Sequence, residues 1–243
     1  MPIHISGTGS FIPKNKVDNN SFSDKLFFDK DGNEYPNSND EIIEKFQTIT
    51  GIKERRYANK EHKTSDLATF AARNAIKDAG IDKETIDYII VAHNFGDIEY
   101  GTNQYIALPS VATMVKHKLD ILNENCVAYD IIFGCPGWIE GVIQASAFIK
   151  SKMAKRCLVI GADTLSRTID ESDRDSMIFA DGAGATIVEE NLEPGGILSH
   201  KTITKAGKEA LYLFCETSYN PKNTKSVKPV SYTHLTLPTT PYV

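Results

Sequence analysis

The chain has 243 residues, of which 41% are hydrophobic and 24% charged, and its formal net charge is -5. This length allows one or two domains with a proper core, and the composition is that of an ordinary soluble globular protein. The negative charge argues against a general nucleic-acid binder. No stretch reads as a signal peptide or approaches 18 apolar residues, so we expect a cytoplasmic location and no membrane association.

Cysteines lie at positions 126, 135, 157 and 215. Their spacing is neither that of zinc ligands nor that of a disulfide framework, so we expect free thiols and no metal site.

The first third of the chain alternates strand and helix signals. Residues 3–10 alternate loosely and predict a strand, whereas residues 40–48 predict a short amphipathic helix that stops near Gly51. Residues 64–66 are expected to cap an alanine-rich helix over 67–79.

The alternation continues with a buried strand over residues 86–92 and a helix over 108–119. Strands that alternate with helices predict parallel strands with covering helices, which is an α/β fold. His93 follows the strand in a loop, where a lone histidine is more typical of a structural or solvated role, and we assign it no chemistry.

A cysteine at a strand-to-helix corner is the most informative feature of the sequence. Residues 127–133 form a short apolar stretch that is typical of a strand. Residues 139–148 carry apolar side chains at helical spacing. Pro136 suits the first helical position, which places Cys135 at or just before the helix N-terminus. Gly134 and Gly137 permit a tight turn and leave room near the sulfur.

Two interpretations of Cys135 remain open on the residues alone. Helix-end amides stabilise a thiolate, which is the nucleophilic form of cysteine. Alternatively, Cys135 is a small buried hydrophobe at a tight corner, as most free cysteines are.

The later segments carry weaker signals. Residues 156–160 predict a buried strand, and Cys126 and Cys157 are expected to be packing residues. The stretch 181–185 is glycine-rich but lacks the ending of a phosphate loop, and a strand follows it. Residues 196–204 and 210–215 predict two further strands.

Several motifs in order resemble 3-oxoacyl-acyl-carrier-protein synthase III, a family of the thiolase-like superfamily. They are residues 7–9 (GTG), 50–56 (TGIKERR), 127–138 (VAYDIIFGCPGW), 158–167 (LVIGADTLSR), 173–174 (DR) and 179–185 (FADGAGA).

The resemblance implies a thiolase-like layered αβαβα fold, of which this chain holds the first structural half and the start of the second. Residues 1–190 would be the N-terminal thiolase-like half and 191–229 the start of the C-terminal half. The tail 230–243 resembles translated adapter or vector sequence, and we expect it to be non-native.

The resemblance also implies an acyltransferase in which Cys135 forms an acyl-enzyme and condenses it with a malonyl thioester, in fatty-acid or related secondary-lipid biosynthesis. Coenzyme A thioesters and acyl carrier protein would be the partners, acyl-CoA and malonyl-carrier-protein the substrates, and a homodimer the assembly, with no cofactor. The family's second half supplies a His and an Asn, so we expect this chain alone to be inactive. Alternatives are another acyl-transferring or condensing enzyme of the superfamily, or a non-catalytic partner subunit of the same fold.

Three further residues become substrate-binding candidates through the resemblance. Leu108 would close the partner's acyl pocket across the dimer, Arg174 would contact a coenzyme A phosphate, and Arg55 would lie near the mouth of the coenzyme A tunnel. On the residues alone, Leu108 is equally an ordinary apolar residue before a helix, while Arg55 and Arg174 equally suit a solvated turn and a salt-bridged surface loop.

The chain also departs from the family pattern. Many members place an aromatic residue and an arginine before the Thr-Gly-Ile, where adenine stacks, and this chain has Lys45 and Ile49 there. We therefore expect either a changed adenine contact or a preference for a carrier-protein thioester.

Overall fold

The structure is a computed structural model, and it describes residues 2–102, 104–212, 216–223 and 227–228. These residues form two compact units. The first comprises the described residues of Met1–Asp18, Ile52–Arg167 and Phe179–Thr202, and the second those of Asn19–Gly51, Thr168–Ile178 and Ile203–Val243. The predicted division at residue 190, between halves of a longer fold, stays a prediction, and the predicted tail lies outside the described residues.

Strands and helices alternate along most of the described chain. In order they are β1 (Ile3–Phe11), β2 (Asn15–Asp18), α1 (Asn39–Thr50), β3 (Glu54–Tyr57), α2 (Thr64–Ala79), β4 (Tyr88–Ala92), β5 (Asp97–Ile98), β6 (Tyr105–Ile106), α3 (Val111–Lys118), β7 (Val127–Ile131), α4 (Gly137–Lys150), β8 (Arg156–Thr164), β9 (Asp181–Glu190), β10 (Glu216–Thr217) and β11 (Val227–Lys228). Short 3-10 helices cover Asn19–Phe22, Lys83–Thr85, Leu165–Arg167, Arg174–Ile178 and Lys208–Leu211.

The first unit is built on a five-stranded sheet in the order β1-β9-β8-β4-β7. As predicted, β4 pairs in parallel with β7 and β8, so the carboxyl ends of these three strands meet at one edge. Strand β9 runs antiparallel to both β8 and β1, which the expectation of parallel strands did not include. The connection from β8 to β9 has no α-helix, and a parallel return normally needs such a crossover.

Helices cover both faces of this sheet. Helices α2 and α3 bury an apolar cluster that includes Leu158 and Ile160, and α4 buries a second cluster that includes Ile90 and Val159 on the opposite face. The result is a helix–sheet–helix sandwich in which the buried strands are apolar on both sides.

Helix α4 approaches the sheet unusually closely because two of its contact positions are glycine. A Cβ on Gly137 would lie 2.9 Å from the Cβ of Ala92, and one on Gly141 would lie 2.7 Å from Cγ1 of Val159. Both distances are shorter than normal carbon contacts, so any larger side chain would push the helix outward.

The second unit contains α1 and its loops. Ser38 caps α1 in a capping box with Glu41, and Gly51 ends the helix in the left-handed conformation with φ of 70°. The side chain of Asn39 donates to the carbonyl oxygens of Ser23 and Lys25, each at 2.6 Å, and so ties the preceding loop to the helix start.

Two local predictions are wrong. Helix α2 begins at Thr64 with Lys63 at the N-cap, so residues 64–66 do not precede the helix; Asp66 accepts a hydrogen bond from the Lys63 N–H at 2.8 Å instead. No strand forms over residues 196–204, and the described part of 210–215 belongs to the 3-10 helix Lys208–Leu211 and a following turn, with 213–215 outside the described residues.

Among the described residues, no helix is long and apolar enough to span a lipid bilayer.

Candidate active site

Cys135 stands at the corner that the sequence predicts. Strand β7 ends at Ile131, and α4 begins at Gly137 with Pro136 at the N-cap, which puts Cys135 one residue before the cap. The chain turns at Gly134, whose φ is 67°, a backbone conformation that residues with a side chain rarely adopt. Pro136 is the N-cap, one position before the first helical residue that the sequence predicted for it. The predicted location of Cys135 is confirmed, and the Cys135 side chain is exposed.

The other two described cysteines lie in a different environment. Cys126 and Cys157 are buried in the two apolar clusters, which confirms that they are packing residues. Burial raises the pKa of the Cys126 thiol to about 11 and that of Cys157 to about 12. At neutral pH both therefore remain protonated and poorly nucleophilic.

Cys135 opens onto a cavity of about 320 Å³ at the carboxyl ends of β4 and β8. Its walls differ in polarity. One side carries His93, Asn94 and Asp163, and the remaining lining is made of apolar or small side chains, including Trp138. Crevices at the carboxyl ends of parallel strands are the usual ligand sites of α/β sheets.

His93 is a member of this site that the sequence analysis left without chemistry. It is 2% exposed, and its Nε2 lies 3.0 Å from Oδ2 of Asp130 on β7. Asp130 also accepts the backbone N–H of Val111 at 2.8 Å and that of Ala112 at 2.7 Å, so it binds the start of α3 as well. The Nδ1 atom of His93 is buried and has no hydrogen-bond partner within the described part of the chain.

Asp163 and Asn94 form the rest of the polar wall. The Asp163 carboxyl accepts the backbone N–H of Asn94 at 2.9 Å and its side-chain amide at 2.7 Å. Burial raises the pKa of Asp163 above the usual carboxyl value, although these hydrogen bonds act in the opposite direction.

Leu108 and Arg55 lie elsewhere in the first unit. Leu108 is 85% exposed just before α3, and its place at the acyl pocket stays a prediction. Arg55 is only 4% exposed on β3, donates to the carbonyl oxygen of Val17, and has its pKa lowered by burial. These contacts account for a packing role of Arg55, and its assignment to substrate stays a prediction.

Arg174 lies in the second unit, where it borders a cavity of about 300 Å³ together with Lys45 and Ile49. Its guanidinium lies 4.6 Å from the ring centre of Tyr35, in cation–π geometry. The structure thus brings together three positions that the resemblance connected with coenzyme A, and the substrate contact itself stays a prediction.

No group of His, Cys, Asp and Glu side chains in the described residues has the arrangement of a metal site.

Comparisons with known proteins agree with this geometry. Residues 129–206 match the family model for 3-oxoacyl-[acyl-carrier-protein] synthase III. The beta-ketoacyl-[acyl-carrier-protein] synthase III of Neisseria meningitidis is 42% identical over 196 residues, which are 80% of this chain and 54% of the relative. That of Staphylococcus haemolyticus is 38% identical over 215 residues, 88% of this chain and 61% of the relative.

The similarity extends to solved structures. The 3-oxoacyl-[acyl-carrier-protein] synthase III of Aquifex aeolicus superposes with a TM-score of 0.73 at 30% identity, over 93% of this chain and 64% of that one. The enzyme of Thermus thermophilus gives a TM-score of 0.72 at 29% identity, over 95% and 65%.

The fold and the cysteine corner thus define a thiolase-like α/β protein. Over its matched residues, the chain is similar to the 3-oxoacyl-[acyl-carrier-protein] synthase III family. It spans about half the length of the curated relatives it matches.

Proposed function

We propose that the full-length protein is a condensing acyltransferase that joins an acyl group to a malonyl unit in fatty-acid or related secondary-lipid biosynthesis. The observation that carries this proposal is the exposed Cys135 at the start of α4, facing a cavity at the carboxyl ends of β4 and β8. The relatives' names, which specify beta-ketoacyl-[acyl-carrier-protein] synthase III, support the same chemistry.

In the first half-reaction the Cys135 thiolate attacks the carbonyl carbon of an acyl thioester. A carbon–sulfur bond forms to Cys135, the bond to the donor sulfur breaks, and the donor leaves as a thiolate that takes up a proton. The start of α4 favours negative charge on sulfur, and the backbone N–H of Cys135 is a suitable donor to the oxyanion. Covalent catalysis divides a difficult carbon–carbon bond formation into two easier steps.

In the second half-reaction a malonyl thioester loses carbon dioxide, and the electron pair of the broken bond forms an enolate. Its carbon attacks the acyl-cysteine carbonyl, a carbon–carbon bond forms, and Cys135 leaves as the thiolate. Acyl-CoA and malonyl-carrier-protein are the substrates of this scheme, and it needs no cofactor.

The proposal includes a cytoplasmic homodimer that works with acyl carrier protein. Strand β7 is an edge strand of the described sheet, and the exposed Leu108 lies just before α3, which packs against β7. This supports contact with a second copy. A non-catalytic partner subunit is disfavoured because Cys135 is retained and accessible.

The experiment incubates the full-length protein with acyl-CoA and identifies the acylated peptide by mass spectrometry. Acyl mass on Cys135, lost in Cys135→Ala and retained in Cys126→Ala, is the expected result. Acyl label on Cys126 or Cys157 with Cys135 unmodified would overturn the assignment. Running the 243-residue chain beside a form extended with native downstream sequence tests the expectation that this chain alone does not condense the two thioesters.

A further inference from the structure

His93, which borders the Cys135 cavity, has a buried ring nitrogen that nothing in the described chain satisfies. His93 is 2% exposed, and its Nδ1 has no partner among the described residues. Buried polar atoms are nearly always paired, and an unpaired one costs about 1–3 kcal/mol, so this atom calls for an explanation.

The imidazole ring is held so that Nε2 is already used. Nε2 of His93 contacts Oδ2 of Asp130. The same carboxyl accepts hydrogen bonds from the first two backbone amides of α3, at 2.8 and 2.7 Å, and these hold it in place. Turning the ring to exchange its nitrogens would break the contact between Nε2 and this fixed carboxyl. Nδ1 is the ring nitrogen left for a ligand.

The neighbouring polar groups do not provide that partner. Asp163 and Asn94 bind each other through two hydrogen bonds at 2.9 and 2.7 Å. The rest of the cavity contains Trp138, Leu165 and small residues, which offer contact surface for a carbon skeleton. A ligand with an apolar body and one polar substituent therefore matches both walls.

We propose that this cavity selects acyl groups that carry a hydroxyl, through a hydrogen bond to Nδ1 of His93. The inference rests on the proposed function, because it assumes that the acyl group bound to Cys135 occupies the cavity. A neutral imidazole needs a donor at Nδ1 and a protonated one needs an acceptor, and a hydroxyl supplies either. A plain alkyl group would leave Nδ1 unpaired, and sites built to bind a hydroxyl reject analogues that lack it.

The test measures the rate of acyl-enzyme formation in the full-length protein with butyryl-, 3-hydroxybutyryl- and 4-hydroxybutyryl-CoA, using intact-mass spectrometry. Each rate is divided by that of uncatalysed thiolysis by a small thiol, which removes differences in intrinsic reactivity. At least one hydroxylated thioester is expected to react about 10- to 100-fold faster than butyryl-CoA.

Three variants locate the effect. In His93→Leu the preference should fall to about one, with the alkyl thioester gaining rate, whereas His93→Asn keeps a donor and an acceptor and should retain part of it. His4→Leu is the matched control, because Nε2 of His4 is also buried and unpartnered among the described residues but His4 does not border the cavity. The control should keep the wild-type preference.

The outcomes separate this inference from the proposed function. Acylation of Cys135 without preference for a hydroxyl overturns the inference and leaves the proposed function standing, and so does a preference that His93→Leu does not change. The wild-type preference decides the matter alone if His93→Leu does not fold. Absence of any acyl group on Cys135 overturns the proposed function and this inference with it.

Discussion

His93 and Asp130 form a buried pair across neighbouring strands, with Nε2 and Oδ2 3.0 Å apart. The pair joins the polar wall of the Cys135 cavity to the start of α3, because the Asp130 carboxyl that contacts His93 also accepts the backbone N–H groups of Val111 and Ala112. One side chain on β7 thus supports a helix start and orients an imidazole.

Replacing this carboxyl should be costly. We expect Asp130→Ala to lower the free energy of unfolding by about 2–4 kcal/mol, because it leaves two backbone amides and a buried imidazole nitrogen without their acceptor. Urea denaturation measures the change. Asp82→Ala is the control, since the side chain of Asp82 accepts the Glu84 N–H in an exposed turn, at 3.0 Å, and its loss should cost about 1 kcal/mol. Equal losses in the two variants would contradict the role given to Asp130.

Alkylation should distinguish the cysteines in the native protein. At pH 7.5 a thiol with a pKa of about 11 is ionised in fewer than about one molecule in a thousand, so Cys126 and Cys157 should react at least about 100-fold more slowly with iodoacetamide than Cys135. Peptide mass spectrometry over time measures the three rates, with Cys215 replaced by serine in every sample. The fast reaction should disappear in Cys135→Ser, and a fast reaction at Cys126 would refute the assignment.

Leu108 offers a test of the proposed acyl pocket. A larger ring at this position should fill space that longer primers need, so Leu108→Phe should favour two-carbon over medium-chain acyl-CoA by about 1–3 kcal/mol. The kcat/KM values for a series of acyl-CoA lengths give this number. Leu122→Phe is the control, because Leu122 is also strongly exposed, at 78%. If Leu108→Phe leaves the chain-length profile of the control, Leu108 does not border the pocket.

Asp181 should make stability depend on pH in a recognisable direction. It accepts hydrogen bonds from Ala58 N at 2.7 Å, Ser166 N at 2.8 Å and Ser166 Oγ at 2.6 Å, but burial raises its pKa in the folded protein. A raised folded-state pKa means that the stabilisation is fully present below the unfolded value of about 4 and is lost as pH rises through the folded value. The stability difference between wild type and Asp181→Asn should therefore shrink from pH 4 towards pH 7.

For Asp66→Asn, the stability difference from wild type should change with pH in the opposite direction. Burial acts to raise the pKa of Asp66, but hydrogen bonds from Lys118, at 2.7 Å, and from the Lys63 N–H lower it overall. Its contribution should therefore be present above the unfolded value and be lost as pH falls. Urea midpoints between pH 3 and pH 7 measure both variants. Parallel curves for the two would refute the argument for Asp181.

The sequence predicted those parts of the structure that depend on local pattern. The change from strand to helix around Cys135 depends on consecutive residues, and so does the strand predicted over residues 86–92, which the structure has at Tyr88–Ala92. Residues 196–204 show the limit of such patterns. Leu198 and Ile203 are 85% and 64% exposed, and apolar alternation forms a strand only where a partner strand is available.

The polar wall was missed for a different reason. His93 directly follows β4 and Asp163 is the penultimate residue of β8, and these two strands are not consecutive in the chain but are adjacent in the sheet. Their proximity depends on β4 lying between β7 and β8, and strand order is a non-local property that the sequence of one chain does not express. A polar residue at or near the carboxyl end of each of two buried strands was the signal that the sequence offered.

The glycines of α4 determine how the nucleophile is held. Because Gly137 and Gly141 have no side chain, the first turns of α4 lie close to the side chains of Ala92 and Val159, and this close approach sets the distance from the helix start to the sheet. Conservative changes of side-chain volume deeper in the α4 cluster can be absorbed by repacking along the remainder of the helix. The distance of the Cys135 sulfur from the sheet therefore does not depend on the side chains deeper in the core. The core can vary in sequence while this sulfur keeps its position.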